Sequence, residues 1–401
     1  MKTRTLLIAV VAIIAIAIAV LLVTITPPPT IPTPTPITTP ATTSPVTTST
    51  PTIPTPTPIT TPATTSPVTT STTTPTTSPI TLPEKRKLYV SHWGFGWDLI
   101  KELVVKPFEE KYNVEVVLIS GTTSERYTKL VNQVEPIPDV IFLPDYYVYM
   151  AAQKGLLMMI DLNKLSNYNE IHSFIRDALP EYIKYYGVPY TLQDLAIAYR
   201  KDRHEPVMSW KDIWRADFSG TIIWPTITAT SGPMALAMTS LAYTGELYNV
   251  DAALRYLVDL KPHIVAFYTR SGDPQLYFER GEAEIAPILR YNWGPLKSLP
   301  LPIEIVCPAE GSIFVLNMIS IVNGTRNIDL AYEFINHWIS EESQRKLAEA
   351  LVDAPINQKV VLSPDHPFNL SCVYNKPIYL DPKVIAENLA AWVEKWRELM
   401  G

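Results

Sequence analysis

The alternation of apolar and polar positions divides the chain into three stretches. The first is an unbroken apolar run, LLIAVVAIIAIAIAVLLV from Leu6 to Val23, with Lys2 and Arg4 before it. At ~1.5 Å per residue such a helix spans roughly 27 Å, near the thickness of a bilayer core. The second stretch, Thr24–Pro83, has no periodicity. The third begins near Lys85 and alternates short β-like runs with helix-like runs. KLYVS (Lys87–Ser91), VEVVLIS (Val114–Ser120) and DVIFL (Asp139–Leu143) read as strands. Between them, Trp97–Tyr112 has helical apolar spacing at Leu99, Leu103, Val104 and Phe108, with Pro107 expected to end or kink it. Ser124–Glu135 reads as a helix opened by an N-cap Ser124, and Tyr147–Lys154 as one stopped by Gly155. Strand and helix alternating at this spacing predict a parallel α/β sheet.

The pattern resumes with GTIIW (Gly220–Trp224), a helix from Pro233, a helix over Val250–Leu260, HIVAF (His263–Phe267), a helix after Ser271–Pro274, and AEIAPIL (Ala283–Leu289). These predict a second α/β sheet. Two long extended stretches, Tyr186–Asp202 and Glu310–Gly324, are the natural crossings between the two lobes, and a helical run NIDLAYEFINHWIS follows the second. About 317 residues in this part exceed what a single core usually holds, which also favours two lobes.

Composition sharpens the division. Between Arg4 and Glu84 there is no charged, aromatic, His or Gly residue, whereas all 39 acids and 31 of the 33 bases lie from Glu84 onward, a net charge of −8 there. Positive residues before the apolar run predict that the remainder is exported. The run is longer than the core of a cleaved signal peptide, so residues 1–25 are expected to be a retained single-pass anchor, with a cleaved signal as the alternative. Residues 26–84 form a Thr/Pro-rich stalk in which TIPTPTPITTPATTSPVTTST occurs twice, at Thr30–Thr50 and Thr52–Thr72. With 17 Pro, 27 Thr and 5 Ser over Thr24–Pro83, this segment has too little apolar surface to form a core and is expected to be disordered and semi-extended.

Export also bears on the two cysteines, Cys307 and Cys372, which are expected to pair outside a reducing cytoplasm; two separately buried thiols are the alternative. Asn323-Gly-Thr and Asn369-Leu-Ser fit the glycosylation acceptor pattern and mark surface candidates. With two thiols and six scattered His, no metal site or cofactor is expected. No nucleophile elbow, zinc-protease, P-loop or dinucleotide motif is present, so an enzyme is not expected. The negative charge and the exported location oppose nucleic acid binding. The pairs Glu109-Glu110 and Glu341-Glu342 read as solvated helix faces.

The fragments PDVIFLPDYYVYMAAQKGLL, YGVPYTLQDLAIAYRKD, SWKDIWRADFSG, VAFYTRSGD and AYEFINHWISEESQRKLAEALVDAPIN, in this order, resemble the extracellular solute-binding proteins of ABC importers, nearest the spermidine/putrescine-binding class. The resemblance covers Leu88–Met400. It implies a two-lobed periplasmic-binding-protein-like (type II) α/β fold with two interlobe crossings, a small organic solute held in the cleft, and an ABC permease as partner. The lobes expected are residues 85–194 with 318–362, and 195–317 with 363–401. The expected location is the cell membrane, with the domain outside the cell. A surface sensor or adhesion protein on the same fold is the alternative.

In open α/β sheets ligands sit beyond the carboxyl ends of strands. That rule and the resemblance together nominate His92, Trp93, Asp145, Tyr146, Tyr190, Thr226, Arg270, Ser271, Arg290 and Asn317 as ligand-binding residues. Trp210 and Trp214 read as core. The class's usual acids are absent at two places, where Val315-Leu316-Asn317 and Pro225-Thr226 stand, and Arg290 occupies a third. A buried ammonium needs a counter-charge. These departures therefore point away from a simple polyamine and toward an anionic or zwitterionic solute, with Asp145 and Asp194 as the remaining acids that face an amine if one is bound.

Overall fold

A computed structural model describes residues 85–270, 272–369, 372–374 and 376–401. The anchor, the stalk and Ser271 lie outside the described residues, and none of the described helices is long and apolar enough to cross a membrane. Among the described residues ten strands form: β1 (Arg86–His92), β2 (Val114–Ser120), β3 (Val140–Pro144), β4 (Val188–Arg200), β5 (Ile222–Pro225), β6 (Ile264–Tyr268), β7 (Ile285–Leu289), β8 (Ile303–Val306), β9 (Ser312–Ile321) and β10 (Pro377–Tyr379). Their path is β2-β1-β3-β9-β4-β7-β5-β6, with β10 beside β9 and β8 beside β4.

The sheet is mixed rather than parallel throughout. β1 pairs in parallel with β2 and β3, and β5 with β6 and β7, as βαβ crossovers require. The two long strands run against these neighbours. β9 is antiparallel to β3, and β4 is antiparallel to β9 and β7. β4 uses Val188–Asp194 to pair with β9 and Leu195–Tyr199 to pair with β7, so one continuous strand belongs to both lobes. Every residue of β4 and β9 is buried, which is why both read as near-continuous apolar runs in the sequence.

Local differences from the sequence reading have simple causes. Pro107 does not end its helix. The helical turns Trp97–Ile100 and Lys106–Tyr112 are joined by a π-helical turn at Lys101–Val105, a wider register that absorbs the missing proline N–H. The helix Thr123–Val131 is capped by Thr122, not Ser124; the Thr122 hydroxyl accepts from Glu125 N–H and the Glu125 side chain accepts from Thr122 N–H. Among the described residues Cys307 and Cys372 form a disulfide. Trp210 is fully buried and Trp214 packs against the core. Asn323 and Asn369 are both exposed.

Candidate functional site

The carboxyl ends of the strands in both lobes converge on one cleft. β1 delivers His92, Trp93 and Phe95; β2 delivers Ser120–Thr123. From the other lobe, the turn after β5 delivers Thr228–Ser231, and the end of β6 with its following turn delivers Tyr268, Thr269, Arg270, Gly272 and Asp273. The β5 turn lies close against the helix Ser231–Thr244 because Gly232 has no side chain: a Cβ there would lie 2.2 Å from Thr226 O. The cleft has two connected parts. An inner chamber of about 40 Å³ is floored by Tyr190 of β4 and Asn317 of β9, and an outer cavity of about 530 Å³ opens beyond it. Trp93, Phe95, Thr230 and Tyr291 line both. The Phe95 and Tyr291 rings, one from each lobe, lie 5.8 Å apart between centroids.

Asp353 carries the charge of the inner chamber. Its Oδ1 accepts from Thr191 Oγ1 at 2.8 Å, Ala354 N–H at 2.9 Å and Gln193 Nε2 at 3.3 Å, leaving Oδ2 with no hydrogen bond among the described residues. Burial pushes its carboxyl up to about 7, against the pull of those hydrogen bonds and of the Arg290 guanidinium. Asn317 is a second acceptor. Its Oδ1 is buried without a partner among the described residues. His92 is neutral there: desolvation, then the nearby Arg126 charge, lower it to about 3. Its Nδ1 accepts from Gly94 N–H at 3.2 Å, so the ring proton sits on Nε2. Trp93 is fixed by Nε1 donating to Thr123 Oγ1 at 2.8 Å and by the Arg126 guanidinium 4.6 Å over its ring.

The elements behind the chamber show how the sequence builds it. The β4–β9 register shifts between Pro189 and Thr191, and this irregularity carries Tyr190. The helix Ile328–Trp338 buries Leu330, Ala331, Phe334, Ile335 and Trp338, a helical period that ends with Trp338 in the chamber wall. In the next helix, Gln344 Nε2 donates to Tyr190 O, and Gln344 Oε1 accepts from the N–H groups of Ile356 and Asn357. Leu351 adopts a left-handed φ of 58° after that helix, so the chain turns and Val352–Asp353 enter the chamber.

Of the ten nominated residues, His92, Trp93, Tyr190 and Asn317 line the inner chamber, and Arg270 lines the outer cavity. Tyr146 is buried and lies outside the cleft lining. Thr226 lies behind Thr228 and Thr269, which it contacts through its hydroxyl. Asp145 is placed elsewhere: it is fully buried and accepts from Tyr146 N–H, Leu316 N–H and the Tyr379 hydroxyl, tying β9 and β10 to the end of β3. Asp194 accepts from Cys372 N–H at 2.8 Å. Arg290 donates to Phe368 O at 2.7 Å and lies outside the cleft lining. Ser271 lies outside the described residues.

Asp353, Phe95, Tyr291 and Trp338 were not nominated. Phe95 and Tyr291 follow β1 and β7, so the strand-end rule alone reaches them. Asp353 sits in a loop after a helix, and only the turn at Leu351 and the Gln344 hydrogen bonds bring it in. No spacing in the sequence marks it. Among the described residues no cluster of His, Cys, Asp and Glu can hold a metal ion.

Comparison with known proteins agrees with this architecture. A spermidine/putrescine-binding periplasmic protein of Escherichia coli is 24% identical over 274 residues, 67% of this chain and 77% of the relative. A putrescine/cadaverine-binding protein of Pseudomonas aeruginosa is 23% identical over 291 residues, 66% of this chain and 78% of the relative. The crystal structure of an ABC transporter protein from Clostridium perfringens, 31% identical, superposes with a TM-score of 0.64 over 78% of this chain and all of that one. The family model for bacterial extracellular solute-binding proteins matches residues 104–368, more than half of the sequence, and the chain belongs to that family.

Proposed function

We propose that this protein is a membrane-tethered receptor that captures a small organic solute outside the cell and delivers it to an ABC permease. Its family is one of substrate-binding transport proteins rather than enzymes. The observation that carries the reading is the cleft itself: strand ends from two lobes, joined through buried crossings β4 and β9, enclose a chamber walled by aromatics. Such a concave apolar surface with a few convergent polar groups suits a small ligand. In this proposal residues 85–194 with 318–362 close against 195–317 with 363–401, and Phe95 meets Tyr291 across the gap. Residues 1–25 hold the receptor at the membrane, and the stalk over residues 26–84 sets its reach.

The solute class proposed is an amine, the class named for the curated relatives. Arg290 donates to Phe368 O and lies outside the cleft lining, whereas Asp353 faces the chamber, so the charge nearest the solute is an acid with the guanidinium behind it. A thermal-shift panel of the full chain against amines, amino acids, phosphonates and sugars tests the receptor reading. Stabilisation by amines is expected, and no shift with any solute would sink it.

A further inference from the structure

We infer that the inner chamber is a one-ended ammonium socket, in which Asp353 Oδ2 and Asn317 Oδ1 hold a single terminal –NH3⁺ while the rest of the ligand lies in the outer cavity. This rests on the receptor reading above and narrows it. A primary ammonium carries three donors and no acceptor. The chamber offers it a carboxylate oxygen with no hydrogen bond among the described residues and a buried amide oxygen that has no partner. Its other polar groups include two neutral donors, the His92 Nε2 proton and Trp338 Nε1, and neither carries charge. A carboxylate head would meet Asp353 with like charge, whereas an ammonium meets it with opposite charge. The walls of Tyr190, Trp93, Tyr291 and Trp338 present π faces that favour a cation further.

Two features make the recognition one-ended. A chamber of about 40 Å³ takes an ammonium and little more of its chain; one water needs only about 10–15 Å³ on this measure. The outer cavity offers a second ammonium only the solvent-facing carboxylates of Glu125 and Asp273, each already drawn on by backbone N–H groups. Glu125 is occupied in the Thr122 cap, and Asp273 accepts from the N–H groups of Thr269 and Arg270. Arg270 lines the same cavity and has no ion pair among the described residues. The second charge of a diamine is therefore seated in solvent-facing space beside a guanidinium.

Calorimetric titration of the full chain at pH 8 with butylamine, putrescine, 4-aminobutanoate and butyrate tests this. Butylamine and 4-aminobutanoate are expected to bind within about tenfold of putrescine, a difference of about 1.4 kcal/mol, and butyrate is expected not to bind. Asp353→Asn keeps the Oδ1 hydrogen bonds and should weaken all three amines by about 100-fold. Asn317→Ala should weaken them about tenfold, and this second variant stands in if the first does not fold. Putrescine binding at least about 100-fold tighter than butylamine would make the site two-ended. Binding of butyrate, or unchanged amine affinity in both variants, would overturn the socket. A non-amine solute that stabilises the chain when no amine does would overturn the socket but leave the receptor reading standing.

Discussion

The inner chamber and the outer cavity share four residues yet are built from different material. The chamber rests on the all-buried crossing strands and on two helices that follow β9, and its polar groups are held by hydrogen bonds: Thr191, Gln193 and Ala354 donate to Asp353, Gln344 donates to the Tyr190 carbonyl, and Trp93 donates to Thr123. The outer cavity is walled by post-strand turns whose hydroxyls largely bond one another, such as Thr226 with Thr228 and Thr269. A charge fixed by a buried network is ready before the ligand arrives, and little reorganisation is spent on it. Exposed turns offer contacts that water replaces readily. Selectivity should therefore reside in the chamber and tolerance in the cavity.

The largest effect should come from moving the same lesion between the two regions. Removing the charge of Asp353 as Asp353→Asn is expected to lower amine affinity by about 100-fold, in line with the loss of one partner of a desolvated ion pair. Removing the charge of Glu125 as Glu125→Gln keeps the cap acceptor and should change affinity less than about threefold. Titration calorimetry on both variants decides it; equal losses would erase the distinction between chamber and cavity.

Acidity gives the next largest effect. Asp353 must be ionised to hold an ammonium, yet burial has pushed its carboxyl up to about 7 in the empty protein. Below that value each pH unit protonates it further, so amine affinity should fall roughly tenfold per unit between pH 7 and pH 5 and level off above pH 8. The facing groups do not reverse the sign. His92, lowered to about 3, stays neutral across this range; the Tyr190 phenol, raised by burial, stays protonated; Arg126, lowered by burial only to about 9, remains a cation; and the Arg290 guanidinium favours the ionised carboxylate. Affinity measured in Asp353→Asn should be flat over the same range. A wild-type profile equally flat would place the counter-charge elsewhere.

How far this contrast was readable from sequence follows from the same physics. Strand periodicity and length marked both crossings, because β4 and β9 are buried throughout. The rule that ligands gather past strand ends reaches Trp93, His92 and Arg270, which line the cleft. It also reaches Asp145, whose position after β3 looks like a ligand site but whose buried carboxylate accepts from Leu316 N–H and the Tyr379 hydroxyl, away from the cleft lining. It likewise reaches Arg290, which lies outside the cleft lining because Phe368, 78 residues away in sequence, draws the guanidinium to its carbonyl. Asp353 was invisible because its placement depends on a left-handed Leu351 and on Gln344, two long-range conditions that no local pattern encodes.

Aromatic walls should show a smaller difference. Trp93→Ala removes a ring that lines both regions and is anchored by Thr123 and Arg126. It should cost about tenfold in affinity for any amine, the scale of a partly desolvated cation–π contact with its buried area. Phe95→Ala acts mainly at the contact with Tyr291 across the lobes. It should raise the ligand off-rate more than it lowers the on-rate, which stopped-flow fluorescence separates.

The smallest expected effect is the most informative about the outer cavity. Arg270 is exposed, lines that cavity and lies near enough to Glu125 to lower its carboxyl slightly. If ligands project their far end past it, Arg270→Ala should leave butylamine binding unchanged, because that ligand brings no charge to the cavity. Putrescine should gain up to about threefold as repulsion on its second ammonium is relieved, and 4-aminobutanoate should lose a similar factor, both within the range of exposed charge pairs. The gain and the loss should shrink together when ionic strength is raised to 1 M, where screening extends to roughly 3 Å. Opposite signs for the two ligands would place the far end at Arg270; equal responses would place it elsewhere in the cleft, with the ammonium still in the chamber.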